Sequence, residues 1–211
     1  MTTLPPGIRL FETMRAVGGE VALWPHHRER LAASALAFGV PLHIADAEKA
    51  LRAKLADHPA PARARLSVGR QGDGRVELSP MTTPPATAWI DPEPFASLGT
   101  PYCVHKTTWR DHYDERLSRA RARGADEAIL LTRDGRVGEG TWTTVWIERD
   151  GRFLTPPLSA GGLPGVMRAY LLETRGDTGE ADLTPDDLLG AGTVWLSNAV
   201  VGLVPVTLVS G

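Results

Sequence analysis

The sequence predicts an α/β (α+β) chain of two lobes, a small N-terminal α/β lobe and a larger C-terminal α/β lobe with a ligand cleft between them. Three observations carry this. Short alternating strand patterns recur in both halves, with helical periodicity interspersed among them. Composition breaks once, at Ser79–Pro101, which holds six prolines around one short apolar stretch, Thr87–Ile90. The 211 residues, 42% hydrophobic and 23% charged, can bury a real core and suit one or two compact units better than three. The break sets the expected boundaries: residues 1–90 as the small lobe ending in Thr87–Ile90, 91–101 as a linker, and 102–211 as the larger lobe.

In chain order, Ile8–Val17 reads as a strand, Gly18-Gly19 as a hairpin turn and Glu20–Trp24 as the returning strand. His26–Phe38 is an amphipathic helix with Leu31, Ala35 and Phe38 inward and Gly39 at its end. Asp46–Asp57 is a second helix on Ala47, Leu51 and Leu55. Ala64–Gly69 and Arg75–Leu78 form a hairpin around Gly72-Asp73-Gly74. The second half opens with a short strand, Tyr102–His105, and a charged helix, Arg110–Arg123. Glu127–Thr132, Thr141–Glu148 and Phe153–Thr155 are strands, turned at Asp134-Gly135 and Asp150-Gly151. Val166–Thr174 is a helix introduced by Leu163-Pro164-Gly165, and Thr193–Ser197 and Leu203–Val206 are late strands.

A net charge of −2 with dispersed arginines argues against a nucleic-acid surface. Cys103 is the only cysteine, so no intrachain disulfide can form. Met1–Leu10 lacks the pattern of a secretory signal, and no apolar run is long enough for a membrane span. A cytoplasmic protein without metal, membrane or nucleic-acid partner is the expectation.

The chain contains 20 arginines but three lysines, Lys49, Lys54 and Lys106, and one asparagine, Asn198. A lysine kept where arginine is otherwise used is a candidate for chemistry that a guanidinium cannot do, such as Schiff-base formation. Lys49 and Lys54 fit a solvated helix face. Lys106, at a strand end in His105-Lys106-Thr107-Thr108, could be partly desolvated and reactive, or an ordinary strand-edge lysine. Glu139, in Val137-Gly138-Glu139-Gly140-Thr141, could pair with a protonated ring nitrogen or be a plain hairpin acid. Leu163–Arg168 reads as a phosphate cradle at a helix start or as a simple loop junction. Arg30 could close on a phosphate or be solvated on its helix. Asn198 could shape an anion-binding turn or an ordinary one.

Taken in order, these segments resemble the class IV aminotransferase family of pyridoxal-phosphate enzymes, with its branched-chain and D-amino-acid aminotransferases and 4-amino-4-deoxychorismate lyase. The resemblance runs through Phe11-Glu12-Thr13-Met14-Arg15, His27-x-x-Arg30-Leu31, His105-Lys106-Thr107-Thr108, Asp126–Leu131, Gly135-x-Val137-x-Glu139-Gly140-Thr141, Thr155-Pro156-Pro157, Leu163–Arg168 and Ser197-Asn198-Ala199. It implies the two-lobed fold-type IV architecture, with pyridoxal 5'-phosphate in the cleft. Lys106 would carry the cofactor as a Schiff base and shuttle the substrate proton, and Glu139 would keep the pyridine nitrogen protonated. Arg30, the N–H groups of Val166, Met167 and Ala199, and the Asn198 turn would bind the phosphate. Arg15 would line the pocket for a small-molecule amine substrate, and a homodimer is implied.

The chain departs from the family at three places. About ten residues precede Phe11, where the family has a further strand and an Asp-Arg-Gly segment. Trp109 and Thr144 stand where asparagines are usual. Gly165-Val166-Met167-Arg168 and Asn198-Ala199-Val200 resemble the lyases more than the aminotransferases, so the resemblance favours a lyase of folate biosynthesis, with an aminotransferase and an inactive cofactor-binding relative as alternatives.

Overall fold

The computed structural model describes residues 3–210. The described residues form two compact units, one of residues 3–83 with 105–109, the other of 84–104 with 110–210.

The first unit is a four-stranded antiparallel sheet in the order β2-β1-β3-β4, with two helices. Its strands are β1 (Leu10–Val17), β2 (Glu20–Val21), β3 (Ala62–Val68) and β4 (Gly74–Ser79). The β1–β2 turn places Gly18 at φ 61° and Gly19 at φ 81°, a pair that suits the tight hairpin only because neither residue has a Cβ. The helices are α1 (Trp24–Phe38) and α2 (Ile44–Leu55). The returning strand is shorter than expected because Pro25 in the first turn already starts α1. Leu31, Ala35 and Phe38 of α1 and Ala47, Leu51 and Leu55 of α2 are buried at the expected helical spacing.

The second unit is an eight-stranded mixed sheet in the order β10-β9-β8-β11-β12-β5-β6-β7. The strands are β5 (Thr87–Ile90), β6 (Glu127–Leu131), β7 (Val137–Gly140), β8 (Thr144–Arg149), β9 (Arg152–Thr155), β10 (Thr178–Glu180), β11 (Val194–Asn198) and β12 (Gly202–Leu208). Four helices accompany it: α3 (Pro101–Val104), α4 (Asp111–Arg121), α5 (Val166–Thr174) and α6 (Pro185–Gly190).

Three further expectations are corrected here. Thr87–Ile90 does not end the first lobe: it pairs in parallel with both β12 and β6. The Asp126 carboxylate pins it there, accepting hydrogen bonds from the N–H groups of Ala86 (2.9 Å) and Thr87 (3.1 Å). Tyr102–His105 is not a strand but follows Pro101 into the helical turn α3, closed by Cys103 and Val104 N–H bonds to Thr100 O. Nor does the whole of 102–211 stay together, since residues 105–109 belong to the first unit.

The larger sheet must curl. Three residues, 141–143, join β7 to β8, a reach of at most about 14 Å. Four strands lie between those two in the sheet order, a span of about 24 Å if flat. The bend at 141–143 is knotted around the fully buried Glu127 carboxylate, which accepts from the N–H groups of Thr141 (2.9 Å) and Trp142 (3.2 Å) and from the hydroxyls of Thr141 and Thr143. Burial pushes this carboxyl up, against the pull of its hydrogen bonds. Gly140 is required beside it, because a Cβ there would stand 2.2 Å from Thr143 Oγ1 and 2.9 Å from Glu127 Oε2. Apolar residues of β6, β8, β11 and β12 with Leu183 and Leu188 form one core of this unit; Trp89, Phe95, Cys103, Tyr113, Ala120 and Leu130 belong to a second. Among the described residues no helix is long and apolar enough to cross a membrane.

Candidate active site

Lys106 is held by β1. Phe11 N–H donates to Lys106 O (3.0 Å), Thr108 N–H to Arg9 O (2.9 Å), and Leu10 and Thr107 form an isolated bridge. Rigidity at Lys106 thus comes from pairing with a strand distant in sequence, not from a strand of its own. The Lys106 ammonium lies 4.6 Å from the centre of the Phe11 ring, and the Arg65 guanidinium lies 4.2 Å from the same ring. Strand alternation puts Phe11, Thr13 and Arg15 on one face of β1. The register sets Arg65 opposite Thr13 and Arg63 opposite Arg15. Arg15 is exposed on that cationic face.

The other face of β1 carries Glu12, Met14 and Ala16, all buried. Glu12 meets α1: Arg30 Nε donates to Oε1 (2.9 Å) and Nη2 to Oε2 (2.5 Å), while His27 Nδ1 lies 2.6 Å from Oε2. Arg30 is therefore not a solvated helix arginine; it is the fork of a buried ion pair. Burial pushes the Glu12 carboxyl up, but the Arg30 charge and the His27 and Arg30 hydrogen bonds outweigh it and hold the group at about 2. Burial lowers the His27 imidazole against the opposing pull of Glu12, so His27 is neutral at pH 7 and its Nδ1–H donates to Glu12.

This arrangement fixes an acid response. A depressed carboxyl contributes stability that is present above its ordinary value of 4.5 and is lost as pH falls from there toward 2. We expect the wild type to lose about 3 kcal/mol across that window from this group. Glu12→Gln should start less stable at pH 7 and have a flatter acid limb in urea denaturation at successive pH values. Parallel acid limbs in the two proteins would refute the assignment.

In the second unit Glu139 sits within β7 with 7% of its surface exposed. Its Oε1 accepts from the Tyr113 hydroxyl (2.5 Å) and its Oε2 from Leu163 N–H (2.9 Å). Gly162 leaves room for it, since a Cβ there would come within 3.3 Å of the carboxylate. The flanking glycines admit protein rather than ligand: a Cβ on Gly138 would meet Leu98 at 2.6 Å, and Gly140 faces Thr143.

Leu163 leads to Gly165, the N-cap of α5, which has no side-chain cap. The first-turn N–H groups of Val166 and Met167 have no acceptor within the helix. Gly165 allows this end to lie against β8, because a Cβ would stand 2.7 Å from Thr144 Oγ1. Arg168 is structural, bonded to Pro156 O (3.1 Å) and paired with Glu180. Asn198 turns the chain after β11. Its Oδ1 accepts from Val200 N–H (2.8 Å) and Val201 N–H (3.0 Å), and its Nδ2 donates to Trp142 O at 3.5 Å. Two of the turn's N–H groups are thus bound by Asn198 itself, and the Ala199 N–H lies outside that ring. A buried carboxylate, an uncapped helix start and a polar turn suit a molecule with a protonated ring nitrogen and a phosphate tail, the polar groups of pyridoxal phosphate. Among the described residues no cluster of His, Cys, Asp and Glu is placed to hold a metal ion.

Sequence reasoning gave Arg65 and Tyr113 no part, and carried Glu12 and His27 only within the family motifs, with no role of their own. Glu12 shares the alternation of Met14 and Ala16, and Tyr113 shares the buried face of α4 with Arg116 and Ala120, so periodicity held a signal for both.

The family model of amino-transferase class IV matches residues 9–209. A Schizosaccharomyces pombe protein provisionally named an aminodeoxychorismate lyase is 34% identical over 199 residues, covering 90% of this chain and 85% of that one. The aminodeoxychorismate lyase of Vibrio harveyi is 27% identical, covering 95% of this chain and 82% of its own. A crystal structure from Mesorhizobium loti, provisionally described as an amino-acid aminotransferase, superposes with a TM-score of 0.87 at 32% identity, covering 96% of this chain and all of that one.

Proposed function

The chain belongs to the aminotransferase class IV family of pyridoxal-phosphate enzymes, and from that premise we propose that it is a 4-amino-4-deoxychorismate lyase, releasing 4-aminobenzoate and pyruvate. The observation that carries the reading is likeness to lyases along nearly the whole chain. Met167 and the Asn198-Ala199-Val200 turn support it locally. One observation favours a second reading, amino-acid transamination: the Mesorhizobium loti structure is matched over its full length.

When bound, pyridoxal phosphate supplies the electron sink for breaking a bond at the carbon that bears the substrate's amine. Lys106 would hold the cofactor through its Nζ and would be the group that moves the substrate's proton. Glu139 holds the proton on the ring nitrogen. By the family resemblance, Arg30 and the N–H groups of Val166, Met167 and Ala199 would bind the phosphate, with Asn198 shaping the turn. Arg15 lines the pocket for the anionic amine. A lyase outcome would release the pyruvate unit and leave an aromatic ring; a transaminase outcome would release the carbon skeleton of the amine as a keto acid.

Single-turnover mixing of the cofactor-loaded protein separates the two readings. Aminodeoxychorismate should give 4-aminobenzoate and pyruvate in equal amounts. Stoichiometric pyridoxamine phosphate from an amino acid, with no 4-aminobenzoate, would establish the transaminase instead. Under the same reading the protein works in the cytoplasm in folate biosynthesis, as a homodimer; a concentration-independent monomer in sedimentation, holding cofactor and active, would remove the dimer.

A further inference from the structure

The Glu139 carboxylate is gripped on both oxygens, and one grip comes from a side chain whose placement is over-determined. Tyr113 is 5% exposed. Its ring packs against Phe95 (centroids 5.1 Å apart) and His112 (4.7 Å), with the Arg110 guanidinium 4.9 Å from its centre. Arg110 is itself tied to Thr141 O (2.7 Å), two residues beyond Glu139. One turn along α4, Arg116 Nη1 donates to the fully buried Asp91 (2.9 Å), and Arg119 Nη2 reaches it at 3.1 Å, which locks the helix to the end of β5. Burial and then the Glu139 charge push the Tyr113 hydroxyl well above its ordinary range, so it stays protonated and donates.

We propose that Tyr113 is a positioning residue for the reaction, its buried hydroxyl fixing the orientation and proton affinity of the Glu139 carboxylate; this rests on Glu139 being the group that holds the cofactor's ring nitrogen. A donor on each oxygen favours the ionised carboxylate where little water reaches it. The Leu163 N–H belongs to the main chain and only proline would remove it, constraining the backbone as well, whereas the phenol can be removed at the loss of one oxygen and with the ring packing kept. Without the hydroxyl, Glu139 binds a proton more readily and competes with the ring nitrogen for it, so the electron sink weakens although the cofactor stays bound.

The test is a double-mutant cycle of Tyr113→Phe and Glu139→Gln in the loaded enzyme, with a carboxyl titration of the apoprotein by ¹³C NMR in glutamate-labelled samples. Tyr113→Phe should lower kcat about tenfold, the equivalent of one charge-assisted hydrogen bond, and leave KM and cofactor content unchanged. The Glu139 resonance of the apoprotein should titrate about one pH unit higher than in the wild type. The double variant should be no slower than Glu139→Gln alone, because Tyr113 acts through Glu139. Losses that multiply, or a Glu139 resonance that does not move, would overturn the positioning role. A Glu139→Gln enzyme at wild-type rate would instead overturn the ring-nitrogen assignment, whatever Tyr113 does.

Discussion

Lys106→Ala should reduce turnover by at least about 10⁴-fold, the largest effect expected of any substitution in this chain, since in the proposed function one amine both carries the cofactor and moves the proton. Borohydride treatment of the loaded wild type should fix the cofactor mass to the Lys106 peptide. The chain makes this assignment unusually easy to check, because Lys49 and Lys54 are the only competing side-chain amines. Both lie on α2, Lys54 in its last turn. An adduct on either would refute the site. The loss in Lys106→Ala should not come from unfolding: what fixes this segment to β1 is main-chain bonding of Phe11, Arg9 and Thr108, which alanine retains.

Glu139→Gln is the second large effect. An amide keeps the size of the side chain and can still meet Leu163 N–H and Tyr113, so cofactor content should stay near that of the wild type. It cannot balance a pyridinium charge, so turnover should fall about 10²- to 10³-fold. Arg30→Ala should show the opposite pattern, weakening cofactor affinity about tenfold or more by loss of a phosphate contact. The geometry adds a complication that decides how this variant is read. Truncating Arg30 also leaves Glu12 buried with only neutral His27 beside it, at a cost to stability of about 3 kcal/mol or more. Cofactor affinity must therefore be measured where circular dichroism shows both proteins folded. Equal cofactor loss in Glu139→Gln and Arg30→Ala would contradict the separate roles.

Local patterning made the first unit legible. The alternation of β1 and β3, the Gly18-Gly19 turn and the apolar stripes of α1 and α2 are all short-range signals, and the observed elements follow them within a few residues. What failed was non-local or too short to carry a period. Thr87–Ile90 looks like any four-residue strand; its partners, β6 and β12, lie about 40 and 120 residues further on, and nothing within it says which sheet it joins. Tyr102–Val104 is an apolar run too short to distinguish strand from helix, and Pro101 decides. Residues 177–191 held β10 and α6; Thr184 and Asp187 form the reciprocal cap of α6 there, a spacing that was readable in the sequence.

The candidate site divides the same way. Lys106, Glu139 and the α5 start were marked by rarity, flanking glycines and helix-start chemistry. Glu12 was visible only as part of a motif, because its meaning depends on α1 bringing His27 and Arg30 onto the inner face of β1. Arg65 reaches the Phe11 ring, which Lys106 also approaches, only through strand pairing, which sets it across from Thr13.

The strand order of the curled sheet also bears on the chain's last strands. β11 and β12, residues 194–208, come last among its strands and lie at its centre, between β8 and β5. Without those residues the sheet order leaves two groups of strands, β5-β6-β7 and β8-β9-β10, whose inner edges have no partner. Exposed edges of this kind template pairing with other chains, and parallel joints such as β5–β12 form slowly because their contacts are distant in sequence. A chain ending before residue 194 would therefore keep two unpaired edges in place of one continuous sheet.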